Sequence, residues 1–186
     1  MKNITYCVWI FLIIIVSSCD SKKEAGGKDV VQLDPASETF PFEIQKGGDF
    51  KKVDQIRMQA KSVIQNRIKQ NPEPLSMLTY GYHLPEFVFD GSKMSKPDQY
   101  LGHWIDFKED FTYEYGYYDQ VSGSGIYHFR LDDITLMTLN DDESFEPKEW
   151  KVNSNGEVLA IVGEHTFEVN NGMQIKMVPS DTKPTR

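Results

Sequence analysis

The sequence predicts a small, mainly β protein: an eight-stranded antiparallel up-and-down barrel or meander with one amphipathic helix on its N-terminal side. Three observations carry this. From Leu101 onward apolar and polar residues alternate with period two, the signature of half-buried strands. The alternating segments are short and separated by turn chemistry at roughly ten-residue spacing. A single earlier stretch, between Asp49 and Asn71, has the 3.6-residue period of a helix. With 186 residues there is room for one ordinary domain and a targeting segment.

The N-terminus reads as a targeting segment. Lys2 is followed by the uncharged apolar run Cys7–Val16 and the small residues Ser17 and Ser18. Ten helical residues reach only about 15 Å, half the hydrocarbon thickness, so a spanning helix is disfavoured. Val16-Ser17-Ser18-Cys19 resembles the lipobox of bacterial lipoproteins. That resemblance implies a cleaved signal over 1–18 and a lipid on Cys19. It also implies an extracytoplasmic protein held on a membrane, at a periplasmic face or the cell surface. Cys7 would leave with the signal, so no free thiol or disulfide is expected in the mature chain.

Residues 19–48 carry Gly26-Gly27, Pro35, Pro41 and Gly47-Gly48 without a sustained period, as in a flexible tether. The helix is expected over 49–71. Asp49 is a good N-cap, Asn71-Pro72 a good stop, and Val53, Ile56, Ala60, Val63, Ile64 and Ile68 share one face, with Arg67 intruding. Six basic residues against one acid lie between Lys51 and Gln70, whereas sixteen acids against seven bases follow from Leu101. This asymmetry suits docking of the helix on the rest of the chain, or on an anionic surface.

Residues 72–100, punctuated by Pro72, Pro74, Gly81, Pro85, Gly91 and Pro97, read as an irregular connector with one or two short strands. The β domain is expected over 101–178, followed by a tail over 179–186. Its strands are His103–Phe107, Phe111–Tyr118, Gly125–Leu131, Ile134–Leu139, Lys148–Val152, Glu157–Val162, His165–Val169 and Met173–Val178. The separators are Ser122-Gly123-Ser124-Gly125, Asp132-Asp133, Asn155-Gly156, Gly163-Glu164 and Asn170-Asn171-Gly172, with Asn155-Gly156 suited to a type I′ hairpin. A meander of this size hides its edges best by closing.

Gly102-His103-Trp104, preceded by Pro97-Asp98-Gln99-Tyr100, opens the first of these strands, and this arrangement resembles the lipocalin family. The resemblance implies that Trp104 plugs the closed end of the barrel. The chain departs from the family in three ways. The barrel region is about half the usual length, no Thr-Asp-Tyr signature is present, and no arginine on the last strand covers the tryptophan, Lys176 being the nearest substitute.

Candidate ligand-binding residues are Trp104 with Tyr113, Tyr115, Tyr117 and Tyr127, whose alternation presents aromatic rings and hydroxyls on one face. A packed aromatic core explains the same pattern. His83, His103, His128 and His165 show no metal-binding spacing, and Asp141-Asp142-Glu143 with Glu146 lacks the form of a calcium loop. No nucleophile, phosphate-loop or dinucleotide motif is present, so no catalytic residue, metal or cofactor is assigned. The formal charge of −8 argues against nucleic acid as a partner. Two roles remain: a non-enzymatic binding module for a small apolar or amphiphilic ligand, or an interaction module for another envelope protein.

Overall fold

The computed structural model describes residues 50–164 and 172–186. The signal, Cys19, the tether, His165 and the strand expected at His165–Val169 lie outside them. The described chain forms helix α1 (Phe50–Gln70), a short helix α2 (Ser76–Thr79) and eight strands. These are β1 (Tyr82–Phe89), β2 (His103–Phe107), β3 (Thr112–Tyr117), β4 (Gln120–Arg130), β5 (Thr135–Asn140), β6 (Lys148–Ser154), β7 (Leu159–Glu164) and β8 (Gln174–Ser180). Each strand pairs antiparallel with the next, and β8 returns to β1, so the sheet is a closed up-and-down barrel in a lipocalin-like arrangement.

The fold class is as expected, but the barrel begins earlier. β1 comes from the connector, so the barrel runs from Tyr82 to Ser180 rather than over 101–178, and Gly102-His103-Trp104 opens the second strand. Pro85 hides β1 from a pattern reading, because proline supplies no ladder N–H and argues against a central strand. The chain accommodates it with a register shift between Pro85 and Phe87 on the β8 side. On the β2 side only Tyr82↔Asp106 and His83↔Ile105 are paired.

A second difference concerns Ser122-Gly123-Ser124-Gly125, which lies within β4 rather than in a turn. Gly125 faces Tyr113 and Gly123 faces Tyr115 across the ladder. The missing side chains leave room for the tyrosine rings to lie on the neighbouring strand. The β3–β4 reversal falls instead at Tyr118-Asp119, where Tyr118 has a φ of 49°. At Asn155-Gly156 only the glycine has positive φ, so the turn is not type I′. Asn155 Oδ1 instead accepts from the N–H groups of Glu157 and Val158.

Directly opposed residues of an antiparallel ladder share a face. Ile105 and Phe107 oppose Tyr115 and Tyr113, and all four belong to the interior cluster with Tyr127, Phe129, Leu136, Trp150, Ile161 and Met177. Helix α1 lies on the outer wall. Ala60 and Ile64, both fully buried, meet Met137 and Leu139 of β5, with Val63 and Ile68 at the margin. Two of the helix bases are used in this docking. Arg57 donates to the carbonyls of Asn140 (2.7 Å) and Phe145, and Arg67 pairs with Glu149 at 3.8 Å. The intruding Arg67 of the helix face therefore has a partner on β6.

Candidate functional site

Three of the four candidate tyrosines, Tyr113, Tyr115 and Tyr127, lie in the hydrophobic core. Tyr113, Tyr115 and Tyr127 are buried, and the Phe107 ring lies 5.0 Å from that of Tyr127 and 6.0 Å from that of Tyr113. Tyr127 donates to the Lys108 carbonyl at 2.8 Å, and Asn140 Nδ2 donates to the Tyr115 hydroxyl at 2.8 Å. Those groups satisfy one another within the protein, as buried polar atoms must. Burial also raises the Tyr113 phenol well above its usual range, and it raises Tyr127 for the same reason. Both stay neutral packing groups. Tyr117 is half-buried at the end of β3, with its ring 5.0 Å from that of His103.

Trp104 is fully buried, yet it is not the interior plug. It opposes Gly116, one residue out of phase with the interior pair Ile105 and Tyr115, so it stands on the outer face. The indole lies flat on β3: a Cβ on Gly116 would come within 2.6 Å of Trp104 Cζ2 and closer still to the Gln120 carbonyl oxygen. Trp104 Nε1 donates to the Tyr118 carbonyl at 2.7 Å, and Tyr82 meets the ring edge-on, centroids 5.6 Å apart. The cation over the ring is Lys183 of the C-terminal tail, 4.0 Å from its centroid. Lys176, the substitute suggested by the strand pattern, pairs instead with Glu86 at 2.7 Å. Period two shows that two faces alternate but not which is inside, and here both are buried.

A concave surface forms where β1 and β2 part. Beyond His83↔Ile105 the two strands are no longer paired, and the seam opens into a groove of about 540 Å³. One bank is Leu84, Pro85 and Glu86 of β1 with Val178 of β8. The other is Pro97, Asp98 and the run Tyr100–His103, and Pro184 of the tail also contributes. The second bank is a chain of tight turns, in which Leu101 N–H donates to Asp98 O and His103 N–H to Tyr100 O. Asp98 takes a left-handed φ of 60° there, a conformation aspartate tolerates better than most residues. Leu101 at the rim is 66% exposed, an apolar side chain left in water.

His103 is one of the polar side chains lining the groove, with Glu86 and Asp98. It lies between Tyr100 and Tyr117, with ring centroids 5.7 and 5.0 Å away, and is 5% exposed. Burial pushes its pKa down to about 4, so the imidazole is neutral at ordinary pH. The groove thus combines largely apolar walls with a neutral imidazole and the two acidic side chains Glu86 and Asp98. A smaller groove of about 340 Å³ between α1 and β5 is lined by Asp54, Arg57, Lys61 and Glu143 with Met58 and Leu139. Its charged lining suits water and ions better than an apolar molecule.

The remaining candidates separate. His83 Nε2 is 2.8 Å from the Leu78 carbonyl oxygen, and His128 stacks on Phe111 with centroids 5.8 Å apart. Asp106 and Glu114 are direct partners on the outer face, and Lys108 neutralises Glu114 at 2.8 Å. Asp142 ties its own turn by accepting from the N–H and hydroxyl of Ser144. Among the described residues no three His, Cys, Asp or Glu side chains converge to hold a metal. None of the described helices is long and apolar enough to cross a membrane.

No protein-family model matches the chain, and no curated protein matches it either. Among solved structures it is similar to a crystal structure of a DUF4847 family protein from Bacteroides vulgatus ATCC 8482. The identity is 12%, over 58% of this chain and 98% of that one, with a TM-score of 0.42.

Proposed function

We propose that the protein is a non-enzymatic binding module that holds a small apolar or amphiphilic molecule in the groove at the β1–β2 seam, not inside the barrel. The observation that carries this reading is the groove itself. Its volume of about 540 Å³ falls in the range of small-molecule sites, typically about 300–1,000 Å³. Largely apolar walls with a few polar groups, here the His103 imidazole and the carboxylates of Glu86 and Asp98, are the composition such sites use, the polar groups fixing orientation on a hydrophobic surface. The interior offers less, because its hydroxyls bond to protein groups. The alternative role in binding an envelope protein through the helix is weaker, since its apolar face, Arg57 and Arg67 engage the barrel.

The test fills the groove. Leu84 is half-buried on the outer face, so Leu84→Trp projects into the groove without disturbing the interior. The amphiphilic dye anilinonaphthalene sulfonate should gain fluorescence with the unaltered protein, and the variant should bind it at least about tenfold more weakly, about 1.4 kcal/mol. Equal titration curves for the two proteins would sink the groove as the binding site.

The reading includes an address. Residues 1–19 support a lipid on Cys19 and a position outside the cytoplasm, with the barrel carried on the segment that follows. In a bacterial host, the Cys19→Ser protein is expected to leave the membrane fraction and to take up no fatty-acid label. Undiminished labelling of that variant would refute the anchor.

A further inference from the structure

The residues after β8 lie across the outer wall, and two of them bring cations onto aromatic rings, Lys183 onto Trp104 and Tyr82 and Arg186 onto Tyr118. Lys183 Nζ is 4.0 Å from the centroid of Trp104 and 5.6 Å from that of Tyr82. The planes of the two rings are 82° apart, so they wall a corner in which one ammonium reaches both. Asp106, the ladder partner of Tyr82, stands on this same face, where burial raises its carboxyl above the usual range and the nearby cations Lys108 and Lys183 oppose that rise. Two π systems and a carboxylate are the components of an organic-cation site. The corner is also rigid, because the indole is fixed by Tyr118 O and seated on Gly116.

The next residue, Pro184, lines the groove. On β1, Tyr82 of the corner and Leu84 of the groove are two residues apart and so on one face of the strand, which makes the corner and the groove adjoin. Apart from Lys183 the tail is held by contacts at the surface: Asp181 shares a side-chain hydrogen bond with Tyr80 and Arg186 lies 5.5 Å from the centroid of Tyr118, while Asp181, Thr182, Thr185 and Arg186 are themselves exposed.

We infer that the corner and the groove form one site for a cationic amphiphile, an alkylammonium or quaternary ammonium group carried on an apolar body. Lys183 is the placeholder of the head-group position. An incoming ammonium takes its place over Trp104 and Tyr82, the tail moves aside, and the apolar body lies along Leu84, Pro85, Leu101 and Val178. The ligand prevails over the tethered lysine because it buries apolar surface that Lys183 does not. This rests on the groove being the binding site, and it adds the charge of the ligand.

The test titrates the full chain with decyltrimethylammonium, decanol and decanoate, each below its micellar concentration. The cation should bind about three- to thirty-fold more tightly than the alcohol, the range expected of a cation on an aromatic face. Lys183→Ala empties the corner and should widen that ratio, whereas Asp106→Asn should narrow it. If cation and alcohol bind equally, and Lys183→Ala leaves their ratio unchanged, the cation site is refuted while the groove stands. If none of the three probes binds, or Leu84→Trp weakens none of them, the groove reading falls and the cation site falls with it.

Discussion

Gly125→Val is expected to destabilise the barrel by about 3 kcal/mol or more, at the upper end for overpacking. A Cβ at this position would sit 2.7 Å from Tyr113 Cε1 and closer still to the Leu139 carbonyl oxygen. The two obstacles differ in kind. The Tyr113 ring is buried among Phe107 and Tyr115 and cannot swing away without opening the core. The Leu139 carbonyl belongs to the β4–β5 ladder, so moving it breaks pairing on the neighbouring strand. Valine adds two further methyl groups to this collision. Urea unfolding followed by circular dichroism gives the cost, with Ser122→Val on an exposed stretch of the same strand as the control, expected within about 0.5 kcal/mol of wild type. If the two variants share a midpoint, Tyr113 does not rest on Gly125.

That site also shows why part of the fold was hidden in the sequence. Ser122-Gly123-Ser124-Gly125 has the composition of a turn, and only the cross-strand tyrosines make it a strand. Local chemistry cannot show that Gly123 and Gly125 lie opposite Tyr115 and Tyr113 on the neighbouring strand. β1 was obscured similarly, by Pro85 and by the register shift that breaks the alternation of Tyr82–Phe89. Helix α1 was legible because packing and period agree: Val53, Ala60 and Ile64 are buried, and Ile56, Val63 and Ile68 are half-buried. β2, β3, β5 and β6 were legible for the same reason at period two, to within a residue or two at their ends.

The groove had almost no signal in the sequence. Its banks come from strands at opposite ends of the barrel order, from a run of turns and from the tail, brought together only by closure between β1 and β8. Pro85, which the sequence presents only as a break in the connector, takes part in it, since a proline in a strand supplies no ladder N–H. The aromatic alternation on β3 and β4 was read correctly as one face. Whether that face lined a cavity or filled a core depended on Asn140 and the Lys108 carbonyl as partners, which no spacing could reveal.

Trp104→Ala is expected to cost about 3–5 kcal/mol, the usual range for a buried tryptophan, although the ring is outside the barrel. Burial in this place comes from Gly116 beneath, Tyr82 at the edge and Lys183 above. Truncation removes the apolar contact, leaves the Tyr118 carbonyl without its indole donor and deprives Lys183 of its aromatic face. Trp150→Ala should cost a similar amount from the interior, where Nε1 donates to Thr138 Oγ1 at 3.1 Å. Total cost therefore does not distinguish inner from outer tryptophan, but coupling to the tail does. In double-mutant cycles with Lys183→Ala, Trp104→Ala should be non-additive by about 0.5–2 kcal/mol, the worth of a cation on an aromatic face. Trp150→Ala should be additive to within about 0.3–0.5 kcal/mol, since Trp150 belongs to the interior cluster while Lys183 lies over Trp104 on the outer wall. Additivity in both cycles would mean that the tail does not cover Trp104. A Trp104→Ala midpoint close to wild type would go further, removing the outer-wall seat of the indole and with it the corner that Lys183 occupies.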